Sequence, residues 1–386
     1  MEATNAFDNI RSYSDDEMPR IVELLLGDPE FRRIIESVMP SVTWEDFSKK
    51  FRSYKNVAAF QADMISEFIF DLVGKSSAET DCSGLENVTP GTAYTFISNH
   101  RDIVLDSALL CVLLCKYGRE TTEIAIGDNL LSYPWIERFV RLNRSFIVRR
   151  GVSGRQMLEN SALMSKYIHA VVEKENKSVW IAQREGRAKD SNDRTQESVL
   201  KMLAMGGNGN FLTSIKSLNI CPLSLSYEYD PCDYLKAREF QQKRDNPEFK
   251  KAEKEDLFNM KTGLFGYKGR IHFQFGKAIN PKIEKMDVAL SRNEQSAQVA
   301  HWIDTEIYRN YTLYPGNYIA YDRLWGHGIC SDKYTDDDCE VFDIYLDKQL
   351  SKIILPNKDI PFLTEKFLEM YGYPVKNQLL ADDAVK

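Results

Sequence analysis

The sequence has few cysteines and no pattern among them. Seven (Cys82, Cys111, Cys115, Cys221, Cys232, Cys330 and Cys339) are scattered over 386 residues, an odd number without a CxxC pair. That spacing excludes a disulfide framework and offers no zinc site, and it fits a reducing compartment. Excess positive charge is also missing: 50 Lys and Arg stand against 57 Asp and Glu, a net charge of -7. A protein that binds nucleic acid through bulk charge needs a concentrated basic face, so no nucleic-acid partner is expected. No apolar run reaches the ~18 residues of a spanning helix; the stretch from Val104 to Cys115 is broken by Asp106 and Ser107. The opening Met1-Glu2-Ala3-Thr4-Asn5, with acids soon after, is neither a signal nor a basic transit peptide, so a cytoplasmic protein is expected. No G-x-S-x-G motif occurs, which argues against serine-hydrolase chemistry.

The hydrophobic fraction of 43%, with 11% aromatic and 28% charged residues, describes a folded chain. Helical spacing of apolar residues over Met18–Leu26, Glu30–Val38, Trp44–Arg52 and Val57–Val73 predicts an N-terminal helical region, residues 1–90. Its last part, Lys75 to Gly91, reads as a junction. From Thr92 to Tyr229 short β-rich runs alternate with helical patterns. This predicts an α/β fold, a mostly parallel central sheet flanked by helices, over residues 91–290.

The predicted strands are Thr92–Ser98, Glu123–Ile126, Ser145–Val148, Ser178–Ala182 and Ile220–Ser226, with a further one at Arg270–Gly276. The charged insertion 231–262 reads as a solvated surface helix pair, with a lid or partner surface as the alternative. Residues 291–386 read as a helical and irregular extension, and Asp336-Asp337-Asp338 as a solvated loop rather than a metal site, since EF-hand spacing is absent. No metal ligand set and no cofactor are expected.

Chemistry concentrates after the first predicted strand of the sheet, at Asn99-His100-Arg101-Asp102-Ile103-Val104-Leu105-Asp106. An imidazole beside carboxylates is either a satisfied structural histidine or a general base whose tautomer an aspartate fixes. Three further blocks follow in order: Arg144-Ser145-Phe146-Ile147-Val148-Arg149-Arg150-Gly151, Val179-Trp180-Ile181-Ala182-Gln183-Arg184-Glu185-Gly186-Arg187, and Ile220-Cys221-Pro222-Leu223-Ser224-Leu225-Ser226-Tyr227-Glu228. Six arginines and no acid lie between Arg138 and Arg155, suited to gripping a phosphate or lying on an anionic surface. His100-Arg101-Asp102 imitates the kinase catalytic tripeptide, but Ser107 stands where a kinase needs Asn, and no Asp-Phe-Gly follows.

In these four blocks the chain resembles the glycerolipid acyltransferases, the glycerol-3-phosphate and 1-acylglycerol-3-phosphate O-acyltransferases, over roughly residues 90 to 280. The resemblance implies a fatty acyl transfer from acyl-CoA or acyl carrier protein to a glycerolipid hydroxyl, at the membrane surface from the cytoplasmic side. It makes His100 the base and Asp106 its partner. Arg149, Arg150 and Arg187 would contact the acceptor head group, Glu185 and Gly186 match the third block, and Pro222 would shape the acyl pocket.

Two departures mark a divergent branch. Five residues rather than four separate His100 from Asp106, which keeps Asp102 open as the partner, and Arg187 follows Gly186 without the intervening residue. These leave room for another acceptor, such as an amino-acid lipid, or for a noncatalytic lipid- or acyl-carrier-binding protein on the same fold.

Overall fold

A computed structural model describes residues 6–150, 153–250 and 253–383. Its centre is a seven-stranded sheet: β1 (Glu79–Ser83), β2 (Thr95–Ser98), β3 (Glu123–Gly127), β4 (Ser145–Val148), β5 (Val179–Ala182), β6 (Ile220–Tyr227) and β7 (Arg270–Phe275), in the order β1-β7-β6-β2-β5-β3-β4. Every pair is parallel except β6 with β7. All four residues of β2 are buried, as are seven of the eight in β6, the pattern of central strands covered on both faces. β7 alternates instead, with Ile271, Phe273 and Phe275 inward.

Five helices precede the sheet or flank its first strand: α1 (Met18–Leu26), α2 (Pro29–Val38), α3 (Trp44–Ser53), α4 (Val57–Phe60) and α5 (Ser66–Ser76), the last two joined by a π turn at Gln61–Ile65. Side-chain oxygens start three of them: Asp28 accepts the amides of Glu30 and Phe31, Thr43 that of Asp46, and Asn56 that of Ala59. These helices share one hydrophobic core with the sheet and with α6 (Leu105–Lys116); Phe31, Phe51 and Phe60 belong to the same cluster as Phe96, Leu109 and Phe273. α6 is apolar nearly all round and buried, which explains its long hydrophobic run without a membrane. No helix among the described residues is long and apolar enough to cross one.

α7 (Pro134–Leu142) packs with the N-terminal helices through Trp135, Phe139 and Leu142, whereas α8 (Gly154–His169), α9 (Glu197–Leu203) and α10 (Phe211–Ser217) contribute to a second core. After β6 come α11 (Asp233–Asp245), α12 (Glu253–Phe265), α13 (Asn280–Ile283), α14 (Arg292–Arg309), α15 (Pro315–Tyr321), α16 (Asp336–Ser351) and α17 (Ile360–Asp383).

Three expectations need correction. The junction 75–91 contains β1, an edge strand whose only fully buried residue is Cys82. The insertion is not a solvated pair: α11 packs on α17 and buries Asp233, Lys236 and Glu239. Each of these groups has a partner. Lys236 pairs with Asp230, Glu239 with Lys189, and Asp233 accepts the hydroxyls of Tyr345 and Tyr371. Asp336-Asp337-Asp338 is not a loop but the first turn of α16, capped reciprocally by Thr335 and Asp338, where the acids meet the positive end of the helix.

Candidate active site

The parallel strands β2, β3, β4 and β5 all deliver their C-terminal ends to one edge of the sheet, where side chains converge from separate parts of the chain. Asn99, just past β2, bonds both ways to β6: its amide donates to the Leu225 carbonyl and its oxygen accepts the Leu225 amide, each at 2.8 Å. That clamp fixes where His100 leaves the sheet.

His100 Nδ1 lies 2.7 Å from Oδ2 of Asp106, which is fully buried in the first turn of α6. The backbone amides of Arg101 and Asp102 donate to the same oxygen at 2.6 and 3.1 Å, and the Tyr227 hydroxyl donates to Oδ1 at 2.9 Å. These three donors hold the carboxylate in one orientation, with an acceptor oxygen facing the ring. Nδ1 then carries the ring proton and Nε2 the lone pair, on a residue that lines the main cavity. Such a pair can take a proton from a hydroxyl.

The extra residue between His100 and Asp106 is absorbed by the loop itself. Asp102 is not the partner of His100: its Oδ1 accepts the amides of Val104 and Leu105, both at 2.8 Å, and so starts α6. Burial, followed by the charge of Asp106, pushes the Asp102 carboxyl above its ordinary pKa. Arg101 turns the other way, donating to Ser191 at 2.6 Å and pairing with the buried Asp193, which ties this loop to the segment after β5.

The cavity has a volume of 640 Å³ and a mainly apolar lining, within the range of small-molecule sites. His100, Arg149, Arg150, Arg184, Glu185 and Gly186 contribute its polar part. Its apolar wall includes Phe31, Ile35 and Met39 of α2, Phe47 of α3 and Phe68 of α5, together with Trp135 and Phe139 of α7. Arg149 donates to the Asn9 carbonyl at 3.3 Å and stands 3.9 Å from Asp128. Arg150 stands 4.0 Å from Glu185, whose carboxylate is largely in solvent.

Not all the residues singled out in the sequence meet here. Arg187 does not line this cavity but a small cleft with Lys189, Lys236 and Arg238, and Pro222 is buried in β6 without lining the cavity. Gly151 lies outside the described residues. The arginines from 138 to 155 do not form one surface: Arg141 is buried on the carbonyls of Asp8 and Arg11, Arg144 donates to Thr121, and Arg155 pairs with Glu159. Arg184 and Tyr227, by contrast, reach the site from the third and fourth blocks although nothing in their spacing distinguishes them from their neighbours.

The family model described as Acyltransferase matches residues 79–224. No curated protein matches the chain. Among solved structures, the 1-acyl-sn-glycerophosphate (LPA) acyltransferase PlsC from Thermotoga maritima is similar, with 11% identity and a TM-score of 0.39 over 75% of this chain and 94% of that one. His100, Asp106 and the arginines at the strand ends all fall inside residues 79–224, the segment that matches the acyltransferase family model.

Proposed function

We propose that the protein moves a fatty acyl group from a thioester, on coenzyme A or acyl carrier protein, to a hydroxyl of a glycerolipid precursor, glycerol 3-phosphate or its monoacyl form. His100 takes the hydroxyl proton as the oxygen attacks the thioester carbonyl; Asp106 holds the ring and stabilises the imidazolium. The proton then leaves with the thiol. No cofactor enters this scheme. A substrate of this kind resides at a membrane surface, and we place the protein there as a peripheral partner on the cytoplasmic side.

The observation that carries the reading is that His100, paired with Asp106, lines a mainly apolar cavity whose lining also includes Arg149, Arg150 and Arg184. An acyl chain fits the apolar part, and a phosphate suits the guanidinium groups. The test is acyl transfer from long-chain thioesters to both acceptors, read by mass spectrometry, with His100→Ala beside the wild type. Product that depends on His100 is expected. Thioester binding without thiol release by the wild type would instead identify a binding protein.

A further inference from the structure

The third block holds two arginines three residues apart, Arg184 and Arg187, with Gly186 between them at a φ of +71°. The backbone turns there through the left-handed region, which glycine adopts without strain. The two side chains consequently reach different places. Arg184 lines the cavity that holds His100, while Arg187 borders the cleft with Lys189, Lys236 and Arg238. From there the charge of Arg187 acts on Asp102 and Asp230, behind the His100 loop.

The cations at the cavity also differ in how far they are already committed. Arg149 has the Asn9 carbonyl and Asp128, and Arg150 has Glu185. Neither a hydrogen bond nor an ion pair holds the Arg184 guanidinium among the described residues. Asp193, a carboxylate whose titration it influences, is engaged by Arg101. Arg184 is partly open to the cavity and uncommitted, so a dianionic group presenting paired oxygens can engage it by forked hydrogen bonds; Arg187, by contrast, has Nη1 buried without a partner, away from that cavity.

We propose that Arg184, rather than Arg187, is the residue that binds the acceptor's phosphate monoester beside His100. The inference rests on the acyl-transfer reading and names its head-group determinant. The missing residue between Gly186 and Arg187 removes the downstream arginine from the cavity, and the upstream one stands in its place.

The test compares Arg184→Ala, Arg184→Lys and Arg187→Ala in transfer to glycerol 3-phosphate and to glycerol, and in thermal melts with and without inorganic phosphate. Arg184→Ala is expected to lower kcat/KM for the phosphorylated acceptor about ten- to a hundred-fold, mainly through KM, and to leave glycerol unaffected. Lysine should restore part of the loss. Phosphate should raise the melting temperature of the wild type and of Arg187→Ala but not that of Arg184→Ala.

A preference for the phosphorylated acceptor that survives in Arg184→Ala and vanishes in Arg187→Ala would overturn the assignment, as would an equal loss with both acceptors. If the wild type transfers to neither acceptor, the acyl-transfer reading fails by itself. The melts then decide the anion site alone: protection lost in Arg184→Ala supports it, and protection retained overturns it.

Discussion

The Tyr227 hydroxyl donates a 2.9 Å hydrogen bond to Oδ1 of Asp106, the carboxylate whose other oxygen engages the His100 ring. Burial, followed by the charges of Asp106 and Asp102, holds the Tyr227 phenol well above its ordinary pKa, so it remains a donor throughout the working range. The bond disperses part of the negative charge that would otherwise stabilise protonated His100. In Tyr227→Phe the imidazolium gains stability, and the acid limb of the kcat/KM profile should move to higher pH. The variant should also lose about 1 kcal/mol of stability. A pH–rate profile that does not move would show that the hydroxyl serves packing alone.

The two aspartates of the first block should separate by kind of defect. Asp106→Asn removes the anion facing His100 and should lower kcat by several orders of magnitude with a nearly normal melting temperature. Asp102→Asn retains an oxygen for the amides of Val104 and Leu105, so most activity should remain, whereas Asp102→Ala should cost about 1 kcal/mol through the start of α6. Kinetics and denaturant melts on the same preparations distinguish the two.

Gly263 of α12 lies so close to this loop that a Cβ there would stand 1.9 Å from the Asp102 carboxylate. Gly263→Ala must displace either the Asp102 carboxylate, which starts α6, or α12 itself. It should lose about 1–3 kcal/mol of stability and lower activity, although the glycine touches neither His100 nor Asp106. Unchanged urea melts would show that the helix yields freely.

Asp233 supplies one pH-sensitive element of stability. Burial, followed by the charge of Asp230, raises its carboxyl from 3.8 to about 7, against the opposing pull of the Tyr345 and Tyr371 hydroxyls. The folded state thus holds a proton that the unfolded chain releases at lower pH. The contribution of Asp233 is full below about pH 4 and declines as pH rises towards 7, by about 1.4 kcal/mol for every tenfold fall in proton concentration across that window. Asp233→Asn should stabilise the protein relative to wild type increasingly between pH 4 and 7. Urea unfolding at several pH values reads the difference directly.

The apolar end of the cavity offers a test of acyl length. Ile35→Trp fills space beside Phe31 and Phe47 and should lower turnover of long-chain thioesters at least ten-fold relative to short ones. The ratio of kcat/KM across a chain-length series measures it.

The strands that carry the site were legible because burial leaves a plain trace in sequence. Tyr94 to Ile97 and Ile220 to Leu225 are β-rich and buried, and β7 alternates. β1 left no such trace, since Glu79-Thr80-Asp81-Cys82-Ser83 lies at an edge and buries little. The insertion misled for the opposite reason: Lys236, Glu239 and Asp233 look like surface residues and are buried only because distant parts of the chain supply their partners.

The choice between Asp102 and Asp106 as the neighbour of His100 turned on the direction of two backbone amides, and the separation of Arg184 from Arg187 on a turn at Gly186. Local composition encodes neither.

The cavity wall formed by α2, α3 and α5 lies upstream of residues 79–224. Part of the space beside the histidine loop is therefore bounded from outside the matched segment, and Trp135 and Phe139 within it complete the wall. On the acyl-transfer reading, substitutions between residues 29 and 76 would change which molecules fit the cavity while the histidine loop stays as it is.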